Sequence, residues 1–137
     1  MGGRAGASRE RAEGPSQRQL RVAEQIRHLL AEALMRGEVH DPRLDGVSVT
    51  VGEVRASRDL RQATVYVTEL GAAIRPETLA ALEHAAPRLA GQVARGIHLK
   101  YAPRLHFVAD TLFDEAARME RLVREEAAKV GHDEEPA

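Results

Sequence analysis

The residues of this chain best suited to binding chemistry are the cations of an acid-free stretch, residues 84–109. The stretch contains no Asp or Glu, and it carries Arg88, Arg95, Lys100 and Arg104 with His84, His98 and His106 among them. Guanidinium and ammonium groups bind phosphates, so this exclusion of acids predicts a polyanionic partner. An Ala-rich and Leu-rich helix followed by a strand would show the same depletion by chance, and that alternative stays open.

The charge of the whole chain hides this asymmetry. The formal net charge is −1, yet residues 110–137 hold nine acidic and four basic side chains. All but two of the 20 basic residues are arginines, which favours planar, bidentate contacts to phosphate or carboxylate. A GC-rich genome would produce the same arginine bias, so the bias by itself does not identify a partner.

No sequence motif predicts catalysis, a metal or a cofactor. The chain lacks a Walker loop, a dinucleotide-binding glycine pattern, a His-Glu-x-x-His motif and a Gly-x-Ser-x-Gly motif, and its six histidines lack metal-ligand spacing. Asp110, Asp114 and Glu115 are the carboxylates that a hydrolase would use. Because carboxylates stabilise a helix N-terminus, a capping role explains Asp110 and Asp114 better. We therefore expect no catalytic residue, no metal and no cofactor.

Length and composition predict one domain with short flanking segments. The 137 residues are 43% hydrophobic, which is enough for one core. We expect a flexible arm over residues 1–15, a folded domain over residues 16–130 and a disordered acidic tail over residues 131–137. The absence of cysteine fits a reducing compartment, and no apolar run reaches membrane-spanning length. These features predict a cytoplasmic protein without membrane contact.

Periodicity then predicts the elements that position the cations. Ser16 and Gln19 form a predicted capping box for a first helix, which Gly37 ends. Its apolar stripe consists of Val22, Ile26, Leu29, Leu30 and Ala33. Two alternating segments follow, with Val47, Val49 and Val51 in the first and Ala63, Val65 and Val67 in the second. They predict an antiparallel hairpin whose connection carries Arg55, Arg58 and Arg61 near one end of the sheet.

The remaining elements are predicted around two prolines. Pro76 can occupy the first turn of a second helix, which is predicted to stop or bend near Ala85 and Ala86 because Pro87 lacks an amide hydrogen. A further helical segment ends at Gly96. A third strand over residues 99–108 contains Pro103, which predicts an edge position or a bulge. A last helix is predicted from Thr111 to Gly131.

This order of elements, an α+β layer with a three-stranded sheet and helices on one face, matches the type II KH arrangement, α-β-β-α-α(kinked)-β, with an added C-terminal helix. Ordered motifs identify a family. They are Arg18-x-x-Arg21-Val22, Asp41-Pro42-Arg43-Leu44, Ser57-Arg-Asp59-Leu60-x-x-Ala63-x-Val65-Tyr66-Val67, Tyr101-x-Pro103-x-Leu105-x-Phe107 and Arg118-Met119-Glu120-x-Leu122. Together they resemble bacterial ribosome-binding factor A over residues 16–125.

The resemblance implies a non-catalytic, KH-like cold-shock factor that binds the precursor small ribosomal subunit. Such a factor assists late 16S rRNA maturation, including processing of the 5′ end. It would act as a monomer, with ribosomal proteins or other assembly factors as further partners. The family carries an Ala-x-Gly kink, which aligns with Ala85, Ala86 and Pro87. Because Pro87 has no amide to offer a phosphate, side chains must carry more of the binding.

The aromatic residues also bear on the binding mode. Tyr66, Tyr101, Phe107 and Phe113 occupy periodic positions typical of a core, so the sequence predicts no platform for stacking bases. Contacts to phosphates and 2′-hydroxyls should then dominate. The predicted RNA-binding residues are Arg88, Arg95, Lys100 and Arg104, with Arg58 and Arg18 as lesser candidates. The alternative function is a KH-like protein-interaction module that uses the faces of the first and last helices.

Overall fold

The computed structural model describes residues 14–70, 72–111, 119 and 122–127. Its elements are α1 (Gln17–Met35), a 3-10 turn (Pro42–Leu44), β1 (Val49–Ala56), β2 (Gln62–Glu69), α2 (Pro76–Gly96) and β3 (Arg104–Ala109). Thr111, Met119 and residues 122–127 are helical, whereas the rest of the predicted last helix, Phe113 included, lies outside the described residues. Residues 1–13 and the predicted tail, residues 131–137, also lie outside them. None of the described helices is long and apolar enough to span a membrane.

Helix α1 is bounded by the two local signals that the sequence contains. The Ser16 hydroxyl accepts from the Gln19 amide, and the Gln19 side chain accepts from the Ser16 amide. At the other end Gly37 has a φ of 67°, and the Glu38 amide donates to the Ala33 carbonyl. This left-handed cap satisfies the last carbonyls of the helix, as a glycine after a helix predicts.

The sheet is mixed, with the strand order β1-β2-β3. Strands β1 and β2 form the predicted antiparallel hairpin, and β3 pairs with β2 in parallel. A bulge between Val51 and Glu53 shifts the register, so that Val51 faces Val67 and Val54 faces Val65. Both Val51 and Val54 therefore point to the core although they are three residues apart. The alternation of Val47, Val49 and Val51 therefore predicts a strand that ends before the bulge, whereas β1 continues to Ala56.

Both helices pack on the same face of the sheet, which confirms the predicted α+β class. The buried face combines Val54 of β1, Val65 of β2 and Phe107 of β3. Opposite them lie buried side chains of the helices, namely Val22, Ile26 and Leu30 of α1 and Leu82, Leu89 and Val93 of α2. The other face is more open, since Arg55 and His106 on it are exposed and Tyr66 is half-buried.

Helix α2 begins at Pro76, as predicted, but it is not divided at Pro87. It runs as one helix of 21 residues with Pro87 inside it, so the predicted stop near Ala85 and Ala86 is wrong, whereas the predicted bend stays a prediction. Pro87 costs the helix one hydrogen bond, to the carbonyl of Glu83. Glu83 and Pro87 are both exposed, so solvent can satisfy that carbonyl. Burial of Leu82, Leu89 and other apolar residues on both sides of Pro87 holds the helix together.

Candidate functional site

The hairpin turn between β1 and β2 projects two arginines from one end of the sheet. Asp59 organises this turn by accepting from the Ser57 hydroxyl at 2.7 Å and from the Arg61 amide at 3.0 Å. The hydrogen bond from Ser57 lowers the pKa of Asp59, and the bond from the Arg61 amide adds to the effect. Leu60, with a φ of 61°, is buried and anchors the turn. Arg58 and Arg61 are left exposed beside it.

The parallel pairing of β3 brings a second segment against this turn. Its first residue, Arg104, lies opposite Gln62, and the Arg104 amide donates to the Arg61 carbonyl at 2.7 Å. The guanidinium of Arg61 lies 4.4 Å from the centroid of the Tyr101 ring, and the Lys100 ammonium lies 5.5 Å from it. We call the set Arg58, Arg61, Lys100, Tyr101 and Arg104 the turn cluster.

The loop before β3 has a defined course. Helix α2 ends through His98, which has a φ of 55°, and the Leu99 amide donates to the Ala94 carbonyl at 2.9 Å. Gly96 is the last helical residue, as predicted, but the left-handed position falls on His98. Pro103, fully buried, anchors the far end of the loop. Both ends of the loop that carries Lys100 and Tyr101 are therefore fixed to the fold.

Arg88 and Arg95 lie apart from the turn cluster, on exposed positions of α2. Arg95 lines a cavity of about 230 Å³ between α1 and α2, together with Arg36. Arg88 lines a neighbouring cavity of about 210 Å³ with His84 and Asp41. Three hydrogen bonds from Arg43 to Asp41, two from its side chain and one from its amide, lower the pKa of Asp41 to about 2. That carboxylate is therefore ionised and already partnered.

Arg18 lies in the first turn of α1 and is exposed. The Gln19 side chain donates to the carbonyl of Ala56 at 3.1 Å, which fixes this end of α1 beside the end of β1. A groove of about 570 Å³ between them is lined by Gln19 and Arg58 among others. The first turn of α1, which carries Arg18, therefore lies at the end of the sheet where the hairpin turn is.

Of the predicted kink residues, Ala85 is half-buried, Ala86 is buried and Pro87 is exposed within the continuous helix. Pro87 has no amide hydrogen, so it cannot donate to a phosphate.

Ion pairing separates the cations of this protein into two groups. Arg27, Arg36, Arg43, Arg55 and Arg75 bind neighbouring carboxylates. Within the described residues, no ion pair is formed by Arg18, Arg88, Arg95, Lys100 or Arg104, which are five of the six predicted binding residues. A cation without a carboxylate partner remains available to an external anion, because it need not break an internal pair first.

The structure corrects the prediction that all four aromatic residues belong to the core. Phe107 is buried and Tyr66 is half-buried on the open face of the sheet, with Arg55 at 5.4 Å from its ring centroid. Tyr101 is 51% exposed, so its predicted core position is wrong. Alternation extended back from Leu105 would turn Tyr101 inward, but β3 begins only at Arg104. Sequence patterns therefore do not reveal that Tyr101 and Arg61 belong to one surface.

The carboxylates considered for hydrolysis do not form a metal site in the described part of the chain. No group of three or more His, Asp or Glu side chains there is arranged to hold a metal ion. Asp110 follows β3 and approaches the bulge, where a Cβ added to Gly52 would lie 2.9 Å from its Oδ2 atom. Asp114 and Glu115 lie outside the described residues.

Comparison with known proteins agrees with the fold and with the motifs. Residues 18–123 match the family model described as ribosome-binding factor A. A protein of that name from Paracoccus denitrificans is 52% identical over 116 residues, which cover 85% of this chain and 84% of the relative. One from Methylobacterium radiotolerans is 49% identical over 130 residues, covering 95% of this chain and 92% of the relative.

Solved structures show the same relationship. The crystal structure of ribosome-binding factor A from Thermus thermophilus superposes with a TM-score of 0.55 at 34% identity, covering 66% of this chain and 94% of that one. A Thermus thermophilus homology model fitted into a cryo-electron microscopy map of a complex with the 30S subunit gives a TM-score of 0.51 at 32% identity, covering 63% of this chain and 88% of the other. This chain belongs to the ribosome-binding factor A family.

Proposed function

We propose that this protein is a non-catalytic assembly factor that binds the precursor small ribosomal subunit through 16S rRNA. It assists late maturation of that rRNA, including processing of its 5′ end, in the cytoplasm. The family membership supports ribosome binding, as does the homology model of a Thermus thermophilus relative that was fitted into a map of a 30S complex. The observation that carries the proposal for this chain is a group of exposed cations that form no ion pair among the described residues, Arg88 and Arg95 on α2 with Lys100 and Arg104 in the turn cluster.

The distribution of those cations suits an RNA surface. Arg88 and Arg95 are separated by about two turns of α2, so their side chains emerge from the same side of the helix. Lys100 and Arg104 follow in the loop and at the start of β3. Binding by such dispersed cations rests on phosphate contacts, and it follows rRNA shape more than base sequence. The proposed binding residues are therefore Arg88, Arg95, Lys100 and Arg104, with Arg58 and Arg18 beside them.

Co-sedimentation of the purified protein with precursor small subunits tests this proposal. We expect binding at low salt that weakens as the salt concentration rises, because phosphate contacts release counterions. Arg95→Glu with Lys100→Glu should weaken binding strongly. It should also lower the slope of log affinity against log salt concentration by about one for each phosphate that the variant no longer neutralises.

A charge-matched variant provides the control for that experiment. Arg27→Glu with Arg43→Glu changes the net charge by the same amount, but at arginines that bind Glu24 and Asp41. We expect this variant to bind small subunits nearly as the parent protein does. Equal binding by the parent and the Arg95→Glu, Lys100→Glu variant would refute the site assignment.

The second candidate function is a protein-interaction module acting through the helical faces. Exposed apolar side chains favour it, because Leu20 and Met35 lie on α1 and Val123 lies in the C-terminal helical segment, each more than half exposed. Such a module would bind a ribosomal protein or another assembly factor. Binding to small subunits that survives nuclease digestion of the RNA, and that Met35→Lys removes, would support this function over the first.

A further inference from the structure

Tyr101 is an exposed aromatic residue among cations. It lies in the loop between α2 and β3 with 51% of its surface exposed, next to Lys100 and three residues before Arg104. A tyrosine ring in this position presents an apolar, π-electron surface to the solvent beside those cations.

The ring is held in place by its neighbours. The Arg61 guanidinium lies 4.4 Å from the ring centroid, a distance typical of a cation–π contact. The backbone of Arg61 is fixed, because its amide donates to Asp59 and its carbonyl accepts from the Arg104 amide. Buried Pro103 anchors the loop after the ring. The Tyr101 side chain therefore gives up little conformational freedom when a ligand contacts its exposed surface.

The charge around the ring favours an anionic partner. Arg61, Lys100 and Arg104 form no ion pair among the described residues. The carboxylate of the turn, Asp59, already accepts from Ser57 and from the Arg61 amide. An aromatic surface beside such cations combines the two contacts that single-stranded nucleic acid requires, stacking for a base and positive charge for the phosphates on either side.

We propose that Tyr101 is a stacking site for an unpaired base of RNA, with Arg61, Lys100 and Arg104 contacting the flanking phosphates. This inference rests on the proposed function and deepens it, since it assigns the turn cluster to a single-stranded segment. Bases within a duplex are already stacked on their neighbours, and their faces are closed to a side chain. The π-face of any base suits the ring, so the site tolerates different sequences.

Fluorescence anisotropy with the full-length protein and a labelled oligouridine tests the proposal. Tyr101→Leu should weaken binding roughly 5- to 150-fold, the range expected when one base–aromatic stack is removed. Tyr101→Phe keeps the ring and should bind within about twofold of the parent, given that stacking uses the π-face. A blunt RNA duplex carrying the same number of phosphates should bind the parent and both variants equally.

Three results would overturn the proposal. They are no binding of the oligouridine by the parent protein, equal binding by the parent and Tyr101→Leu, and an equal loss of affinity for Tyr101→Leu on the duplex. Thermal unfolding checks that Tyr101→Leu is folded, and Tyr101→Ile serves as a second variant without a ring. Co-sedimentation with small subunits separates this proposal from the proposed function. If the parent co-sediments in a salt-dependent way but the oligouridine results fail, only the stacking site is wrong.

Discussion

Replacing Pro87 with alanine should stabilise the protein, because Pro87 lies inside a continuous helix. Proline in a helix interior is less favourable than alanine by about 3 kcal/mol. Alanine also gives the unfolded chain more freedom, which offsets roughly 0.4–1 kcal/mol of that gain. Pro87 is exposed, so the substitution leaves the core intact, and the new amide can donate to the Glu83 carbonyl. The expected increase in the free energy of unfolding is therefore about 2 kcal/mol.

Urea and thermal denaturation, followed by far-ultraviolet circular dichroism, measure this effect. An increase of about 2 kcal/mol raises the melting temperature of a domain of this size by roughly 10 °C. Pro76→Ala is the matched control within the same helix, since Pro76 is in the first turn, where its missing amide costs nothing. The Pro76→Ala control should leave the free energy of unfolding unchanged or lower it slightly. If Pro87→Ala were no more stable than Pro76→Ala, the helix would not continue through residue 87 in solution.

Three further substitutions test the core and the caps by denaturation. Phe107→Ala should lower the free energy of unfolding by about 3–5 kcal/mol, because Phe107 is buried, and a decrease below about 1 kcal/mol would contradict that burial. Thr78→Val removes the hydrogen bond of 2.6 Å that the buried Thr78 donates to Glu69, and should cost roughly 1–3 kcal/mol at neutral pH. That bond is the main cause of the lowered pKa of Glu69, so the loss of stability in Thr78→Val should be complete above the ordinary pKa of 4.5 and should disappear as acid protonates Glu69. A loss of stability that does not change with pH would refute the assignment. Ser16→Ala should cost about 1 kcal/mol by removing the capping box of α1, whereas the exposed Gln17→Ala should cost little.

Much of the fold could be predicted because its signals are local. The capping box at Ser16 and the glycine at position 37 define α1 through contacts within a few residues of each other. Alternation in β2 and the turn residues at Ser57 and Asp59 likewise define the hairpin. Where a prediction from the sequence is wrong, a contact between residues distant in the chain determines the structure. The bulge before Glu53 continues β1 beyond the point where alternation ends, and packing of α2 on the core carries that helix through Pro87.

The candidate site was predictable in part. The absence of acidic residues identifies Arg88, Arg95, Lys100 and Arg104 as a group, because the charge of a side chain follows from its residue type. It does not reveal that the first two lie on α2, whereas the others lie against the hairpin turn. Alternation in the predicted third strand also places Tyr101 in the core. That prediction fails because β3 begins only at Arg104, where it pairs with Gln62.

The sequence by itself determined the family, the fold class, the ends of α1 and the cations from which a binding surface is built. These depend on residue type, spacing and neighbours along the chain. Only the tertiary structure decided which arginines are neutralised by carboxylates and which remain available. It alone brought Arg61 over the ring of Tyr101, because that contact requires β3 to pair in parallel with β2 across about 40 residues of intervening chain. Such a pairing joins segments that are far apart in the chain, so no local sequence pattern predicts it.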